Sequence, residues 1–309
     1  MTARQSAGGR STESAQGETM TLDESKLSHR FTEHGGVRLH YVEAGDGPLV
    51  VLLHGFPEIW YSWRHQIPAL VEAGYRVIAP DMRGYNLSDK PEGVAAYAIA
   101  ELTADVAALI QASGAERAAA VVGHDWGGGV AWGFAARYPA LLERLVVLNC
   151  PHPERLVAGF RTARQLRKSW YMFFFQLPKL PELAAQKDDF AWLRAAVKDD
   201  PRRPGAVSDE DLAHYVKAWS EPGALTAMIN YYRALFRPGS LGELGRQPRI
   251  DVPVQVIWGE HDRYLGSELA APDPALVPNA RVARIPDASH FVHYDRPEKV
   301  NQLLLEFLR

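Results

Sequence analysis

At 309 residues, with 47% apolar and 23% charged side chains, the chain has the composition of an ordinary soluble globular protein and enough length for a large core. A net charge of −3 supplies no basic field for nucleic acid and no polybasic membrane patch. Cys150 is the single cysteine, so no intrachain disulfide is possible, which suits a reducing compartment such as the cytoplasm. No run of about 18 apolar residues indicates a membrane span, and His and Cys show no structural-zinc spacing.

Residues 1–26 are rich in Ser, Thr, Gly, Glu and Gln, a composition that cannot offset the entropy of ordering; a disordered tail is expected. Strands are expected at Arg30–Thr32 and Val37–Val42, around the Gly35-Gly36 turn, and at Pro48–Leu53. A helix over Trp60–Glu72, a strand over Tyr75–Ala79, a helix over Ile99–Ser113 and a strand over Ala118–Val122 follow. A Gly-rich helix over Gly127–Arg137 and a strand over Leu145–Leu148 continue the βαβ alternation of a mostly parallel sheet with helices on both faces. From Pro151 the strands stop, and aromatic clusters and scattered prolines accompany helical periodicity to about Arg246. Strands at Val254–Trp258 and Arg281–Ile285 and an amphipathic helix over Pro297–Leu308 then complete the alternation. The implied organisation is a tail (1–26), an α/β core in two parts (27–150 and 247–309) and an inserted helical cap (151–246).

The most informative stretch is Gly123-His124-Asp125-Trp126-Gly127-Gly128, between an apolar strand and a Gly-rich helix. It is a nucleophile elbow, whose sharp turn lifts one side chain above the sheet, here Asp125 where an esterase carries Ser. Asp125, Asp262 and His290 follow the chain order nucleophile, acid, base of α/β-hydrolase triads. A carboxylate is already ionised at neutral pH, so Asp125 can attack carbon and form an ester. His290, oriented by Asp262, would then activate the water that cleaves it. Backbone N–H groups of Phe56, after His54-Gly55, and of Trp126 are the expected oxyanion donors.

The motifs His54-Gly55-Phe56-Pro57, Asp81-Met82-Arg83-Gly84-Tyr85, Gly123-His124-Asp125-Trp126-Gly127-Gly128 and Asp287-Ala288-Ser289-His290-Phe291 closely resemble the epoxide hydrolases of the α/β-hydrolase fold, from about Phe31 to the C-terminus. The resemblance implies two further residues in the cap. Trp170-Tyr171-Met172 looks like the segment whose Tyr contacts the epoxide oxygen, and Asn230-Tyr231-Tyr232-Arg233 like that of the second Tyr, with the role on Tyr232. Ring opening releases an alkoxide, a poor leaving group, and a phenol with a pKa near 10 can donate to it. The implied reaction converts an epoxide and water to a vicinal diol, in a detoxification role, with no metal or organic cofactor and no nucleic-acid partner, in a monomer or homodimer. A haloalkane dehalogenase shares the Asp-His-Asp arrangement, but Phe56 stands where that family commonly has Asn. A non-catalytic ligand-binding protein on this fold is the alternative from another class.

Plainer roles compete for several of these residues. Asp125 could simply cap its helix, Glu260 rivals Asp262, and His293 rivals His290. The resemblance favours Asp262, and the turn preceding His290 favours that histidine; His293 and Asp295 then read as a local surface or structural pair. Without the resemblance, Tyr171 and Tyr232 read as cap-core aromatics. His54 and Asp81–Gly84 read as scaffold, His124 as packing under the elbow, and Cys150 as an inert packed thiol. Trp60, Phe173 and Phe175 are candidate pocket walls.

Overall fold

The computed structural model describes residues 22–309. The expected tail lies outside the described residues as far as residue 21. Its last part is ordered: Asp23 caps a 3-10 turn at Glu24–Lys26, and Leu22 and Leu27 pack on the core.

Eight strands form one sheet: β1 (Ser28–His34), β2 (Val37–Ala44), β3 (Leu49–Leu53), β4 (Arg76–Pro80), β5 (Ala120–His124), β6 (Leu145–Leu148), β7 (Val254–Gly259) and β8 (Ala280–Ile285). Their spatial order is β1-β2-β4-β3-β5-β6-β7-β8. The β1–β2 and β2–β4 pairs are antiparallel, and the remaining pairs are parallel. The central strands are buried on both faces and divide their side chains with period two. Leu49, Val51 and Leu53 of β3 join Val121, Leu145 and Val147 in one core cluster. Val50 and Leu52 join Val122, Val146 and Leu148 in the other.

Helices α1 (Gln66–Glu72), α2 (Ile99–Ala112) and α3 (Trp126–Arg137) supply the covering layers, with α11 (Val292–Asp295) and α12 (Pro297–Leu308) at the C-terminal end. Ile67 and Leu70 of α1 and Val300, Leu304 and Leu308 of α12 cover the second cluster; Leu102 and Val106 of α2 and Val130 and Phe134 of α3 cover the first. The helix expected over Trp60–Glu72 is broken into a 3-10 turn at Trp60–Trp63 and α1. Pro68 explains the break, because it has no N–H to offer the Arg64 carbonyl and its ring crowds that group. The strand expected at Ala118–Val122 runs two residues later, and Ala118 makes only an isolated bridge to Leu142.

Between β6 and β7 there is no strand. The segment holds α4 (Pro153–Gly159), α5 (Ala163–Lys168), α6 (Trp170–Phe174), α7 (Leu180–Lys198), α8 (Asp209–Trp219), α9 (Ala224–Leu235) and α10 (Ser240–Leu244). Non-helical backbone at residues 187–190 interrupts α7. Ser208 and Asp211 form a reciprocal capping box at the start of α8. Aromatic residues of α6 and α9 pack with Phe56 and Trp126 from the sheet side, which seats these helices over the carboxyl ends of the strands. Among the described residues no helix is long and apolar enough to cross a membrane.

Candidate active site

The parallel register aligns strand ends: Leu53 of β3 lies beside Gly123 of β5, His124 beside Leu148 of β6, and Leu148 beside Ile257 of β7. The loops leaving these ends therefore converge, as in open α/β sheets generally. They carry His54–Phe56, Asp125, Asn149 and Asp262, and the loop after β8 carries His290.

Asp125 sits at the turn between β5 and α3 with φ 49° and ψ −118°, a conformation that costs a non-glycine residue roughly 1–3 kcal/mol. It occupies the N-cap position, yet its side chain makes no capping hydrogen bond. Instead Oδ1 accepts the Phe56 backbone N–H at 2.9 Å. Gly55 is required by this approach, since a Cβ there would fall 2.5 Å from the Asp125 Cβ. The Trp126 backbone nitrogen opens α3 directly after Asp125.

His290 links the two acids. Its Nε2 lies 3.4 Å from Asp125 Oδ2, and its Nδ1 is 2.8 Å from Asp262 Oδ2. Asp262 is buried and densely solvated by the protein. Oδ1 accepts the N–H groups of Tyr264 and Leu265 at 2.7 and 2.8 Å, and Oδ2 also accepts Asn149 Nδ2 at 2.8 Å. Burial opposes its ionisation, but the His290 charge and these donors outweigh burial and hold its pKa below the usual value. Burial likewise opposes protonation of His290, yet Asp262 and Asp125 raise its pKa well above that of a free imidazole. Glu260, the rival acid, is exposed and faces Arg284 at 3.4 Å.

The rival histidine has a different place. His293 and Asp295 are both fully buried, so of the expected local surface or structural pair the surface placement is corrected, and each makes structural bonds of its own. Asp295 Oδ1 accepts the backbone N–H groups of Arg202 and Arg203, at 2.5 and 2.8 Å, and Oδ2 that of Ser289 at 2.6 Å. His293 Nε2 donates to Glu58 Oε1 at 3.1 Å. Burial pushes its pKa down to about 4, and its Nδ1 is buried without a partner, as expected of a neutral ring. Glu58 collects three further donors: Gly55 N–H at 3.0 Å, His124 Nδ1 at 2.7 Å and the Tyr294 hydroxyl at 2.7 Å. Burial raises its pKa, but His124 and His293 overcome burial and hold it well below the ordinary carboxylate range. His124 Nε2 faces the His290 carbonyl at 3.0 Å, so Glu58 and His124 tie the Phe56 loop to the His290 loop beneath the elbow. Among the described residues Glu58, His124 and His293 are the one group whose ligand atoms gather as metal ligands would, within 4.8 Å. The hydrogen bonds already made to both Glu58 oxygens make the cluster a bracing network.

Two cavities open from Asp125. One, of about 530 Å³ including its mouth, is lined by Phe56, Tyr171, Trp192, Tyr232, Tyr264 and His290, among others, with Trp170 at its wall. The other, of about 1070 Å³ including its mouth, runs past Trp126, Cys150, Met172, Tyr232, Leu235 and Leu244. Tyr171 and Tyr232 stack edge-on, 5.7 Å between ring centroids. Burial, and then the charge of Asp125, raise both phenols well above a pKa of 10, so both hold their protons at neutral pH. Tyr231 turns away and donates to the Arg83 carbonyl at 2.7 Å.

The pocket walls were only partly legible. Trp60 is buried in the core cluster beside α1, where its ring meets His29 and Tyr61, and lines neither cavity. Phe173 is 43% exposed and packs on Phe160 and Phe236; on a helix it points opposite to Tyr171. Phe175 is fully buried behind the tyrosines, 4.8 Å from Tyr232, and supports them rather than lining the space. Cys150 is a wall of the larger cavity, and burial pushes its thiol pKa up. His54 is scaffold in geometry: its Nε2 accepts Met82 N–H at 3.0 Å. Arg83 pairs with the buried Asp105 at 2.6 Å. Sequence reasoning missed Glu58, Asn149, Trp192 and Tyr264. Asn149 carried one usable signal, a polar side chain ending the apolar strand β6; Trp192 and Tyr264 carried none.

A family model described as the alpha/beta hydrolase fold matches residues 48–297. The AB hydrolase superfamily protein YfhM of Bacillus subtilis is 47% identical over 91% of this chain and 97% of its own length. Epoxide hydrolase 1 of Caenorhabditis elegans is 39% identical over 90% of this chain and 70% of its own length. The crystal structure of Bacillus megaterium epoxide hydrolase in complex with an inhibitor superposes with a TM-score of 0.82 at 34% identity, over 90% of this chain and 99% of that one. The chain belongs to the α/β-hydrolase fold family, among its epoxide hydrolases.

Proposed function

We propose that the protein hydrolyses epoxides to vicinal diols through an ester on Asp125. The observation that carries this reading is the meeting of Asp125, His290, Tyr171 and Tyr232 on one cavity, a carboxylate and base facing two protonated phenols. The carboxylate attacks an epoxide carbon, and the carbon–oxygen bond of the ring breaks. Tyr171 and Tyr232 donate to the departing oxygen. Forming the ester removes the Asp125 charge, one of the causes that raise the His290 pKa, so the imidazolium gives up a proton that replaces the one the phenols pass to the alkoxide, and the neutral imidazole then acts as a base. It takes a proton from water, whose oxygen attacks the ester carbonyl. Phe56 and Trp126 N–H groups stabilise the resulting oxyanion, an effect of about 3–4 kcal/mol per donor in comparable sites. Collapse expels the diol and restores the Asp125 carboxylate, with Asp262 supporting the imidazolium meanwhile.

In this reading residues 27–150 and 247–309 form the core unit and 151–246 its cap, and the enzyme works in the cytoplasm as a monomer or homodimer. The substrate is a small epoxide with water as co-substrate. The deciding assay offers a styrene-oxide-like epoxide and a short haloalkane and follows diol and halide. Diol is expected; halide alone would assign a dehalogenase, and neither product a binding protein.

A further inference from the structure

The net charge of −3 conceals a strongly segregated segment. Residues 155–181 contain Arg155, Arg161, Arg164, Arg167, Lys168 and Lys179 and no Asp or Glu. The same stretch of the cap holds most of the exposed large apolar surface. Of the nine such residues among those described, five lie within it, Leu166, Trp170, Phe173, Leu177 and Leu180, at 39–59% exposure, and Leu183 follows just beyond at 64%. We propose that this face docks on an anionic lipid surface and turns the mouth of the Trp170 cavity towards the bilayer.

Six exposed large apolar side chains within residues 166–183 are more than isolated surface apolars and suit an interaction surface. The charges decide the partner. Lys168 is used inward, on the carbonyls of Asp262 and Leu265, Arg155 donates to the Glu268 backbone carbonyl, and Arg164 pairs with the Glu268 carboxylate. Arg161, Arg167 and Lys179 are exposed and have no acidic partner among the described residues. Nearby acids are already occupied: Glu182 is held by Arg233 at 2.7 Å, and Asp188 and Asp189 by Lys187 and Arg194. The remaining field is positive. A second copy docking by twofold symmetry would set this patch against itself and bring like charges together. An anionic leaflet complements both components, because cations sit at its headgroups while Trp, Phe and Leu enter the interfacial layer.

Trp170 joins the surface to the site. It is 59% exposed and lines the cavity that ends at Asp125 and His290. A lipid-seated cap would therefore collect apolar substrates from the phase in which they concentrate. That delivery rests on the epoxide hydrolase reading; the docking does not.

The test is co-sedimentation of the full chain with vesicles of phosphatidylcholine alone or mixed equally with phosphatidylglycerol. Salt is raised from roughly 0.01 M to about 1 M, which shortens the screening length from about 30 to about 3 Å. Binding to the anionic vesicles at low salt should exceed that to the neutral ones by at least about tenfold and fall at high salt. The triple variant Arg161→Glu, Arg167→Glu, Lys179→Glu and the double variant Leu177→Asp, Leu180→Asp should each lose about tenfold. Both should keep wild-type turnover of a water-soluble epoxide, which establishes that they fold. Equal binding to both vesicle types, no binding, or a dimer dissolved by the double variant without vesicle binding would each overturn the proposal. Absence of diol from wild type would instead remove the epoxide reading and leave the vesicle result interpretable.

Discussion

Asp125, His290 and Asp262 divide the labour by environment. Asp262 is fixed as an anion by four donors, His290 lies between two acids that raise its pKa, and Asp125 and His290 both face the cavity. His290→Gln should still form the ester but hydrolyse it about 10²–10⁴ times more slowly; intact-protein mass spectrometry after mixing with epoxide should show Asp125 carrying the substrate mass. Tyr171→Phe and Tyr232→Phe should each slow ester formation by roughly 10²-fold in single-turnover experiments, with hydrolysis of the ester unchanged. Asp125→Asn removes a negative charge that raises the His290 pKa. Titration of the His290 ring followed by NMR should therefore move to lower pH in that variant, and an upward or absent shift would contradict the charge coupling.

At the scale of elements, the site is a junction of loops braced from below. Glu58 accepts from the β3–α1 loop, the end of β5 and α11 at once, so one buried carboxylate sets the separation of the oxyanion loop from the His290 loop. Glu58→Gln withdraws the charge and leaves His124 facing a neutral amide, and breaking such a buried set costs about 3–5 kcal/mol. Urea midpoints at neutral pH should report that loss. The sign with pH follows from its lowered pKa: the Glu58 contribution is full above about 4.5 and is lost as pH falls through the lower folded value. The wild-type advantage should therefore shrink only in acid. The 3-10 turn before α1 and the non-helical step at 187–190 mark places where local chemistry divides a helical pattern.

Taken whole, the molecule is a sheet whose carboxyl edge is roofed by helices, and the space between the two layers sets what can react. Trp192 of α7 lines the smaller cavity, as His290 does, and packs on Phe175 at 5.7 Å between ring centroids. Trp192→Ala should widen that limb and shift kcat/KM towards bulky epoxides relative to small ones by roughly 10-fold, about the value of 1–2 kcal/mol of pocket contact. A substrate panel measures this ratio, and an unchanged ratio would place size selection in the larger cavity past Met172 and Leu235.

The sequence by itself determined the alternation of buried strands and helices, the position of the helical segment between β6 and β7, and the apex residue Asp125. These are local or periodic properties: a doubly buried strand is a continuous apolar run, and an elbow needs small residues at fixed spacing. Resemblance added Tyr171 and Tyr232, which no periodicity distinguishes from neighbours such as Trp170 or Tyr231. Resemblance also favoured Asp262 over Glu260, and the tertiary structure seats Asp262 beside His290. Only the tertiary structure sent Trp60 to the core and Phe173 to the surface, and gathered Glu58, His124 and His293. The Glu58 cluster depends on which residues meet across 66–235 positions of chain, and one sequence carries no record of such meetings. The patch around Trp170 was hidden for a related reason. Net charge sums over the whole chain, whereas a surface responds to the charges that share one face.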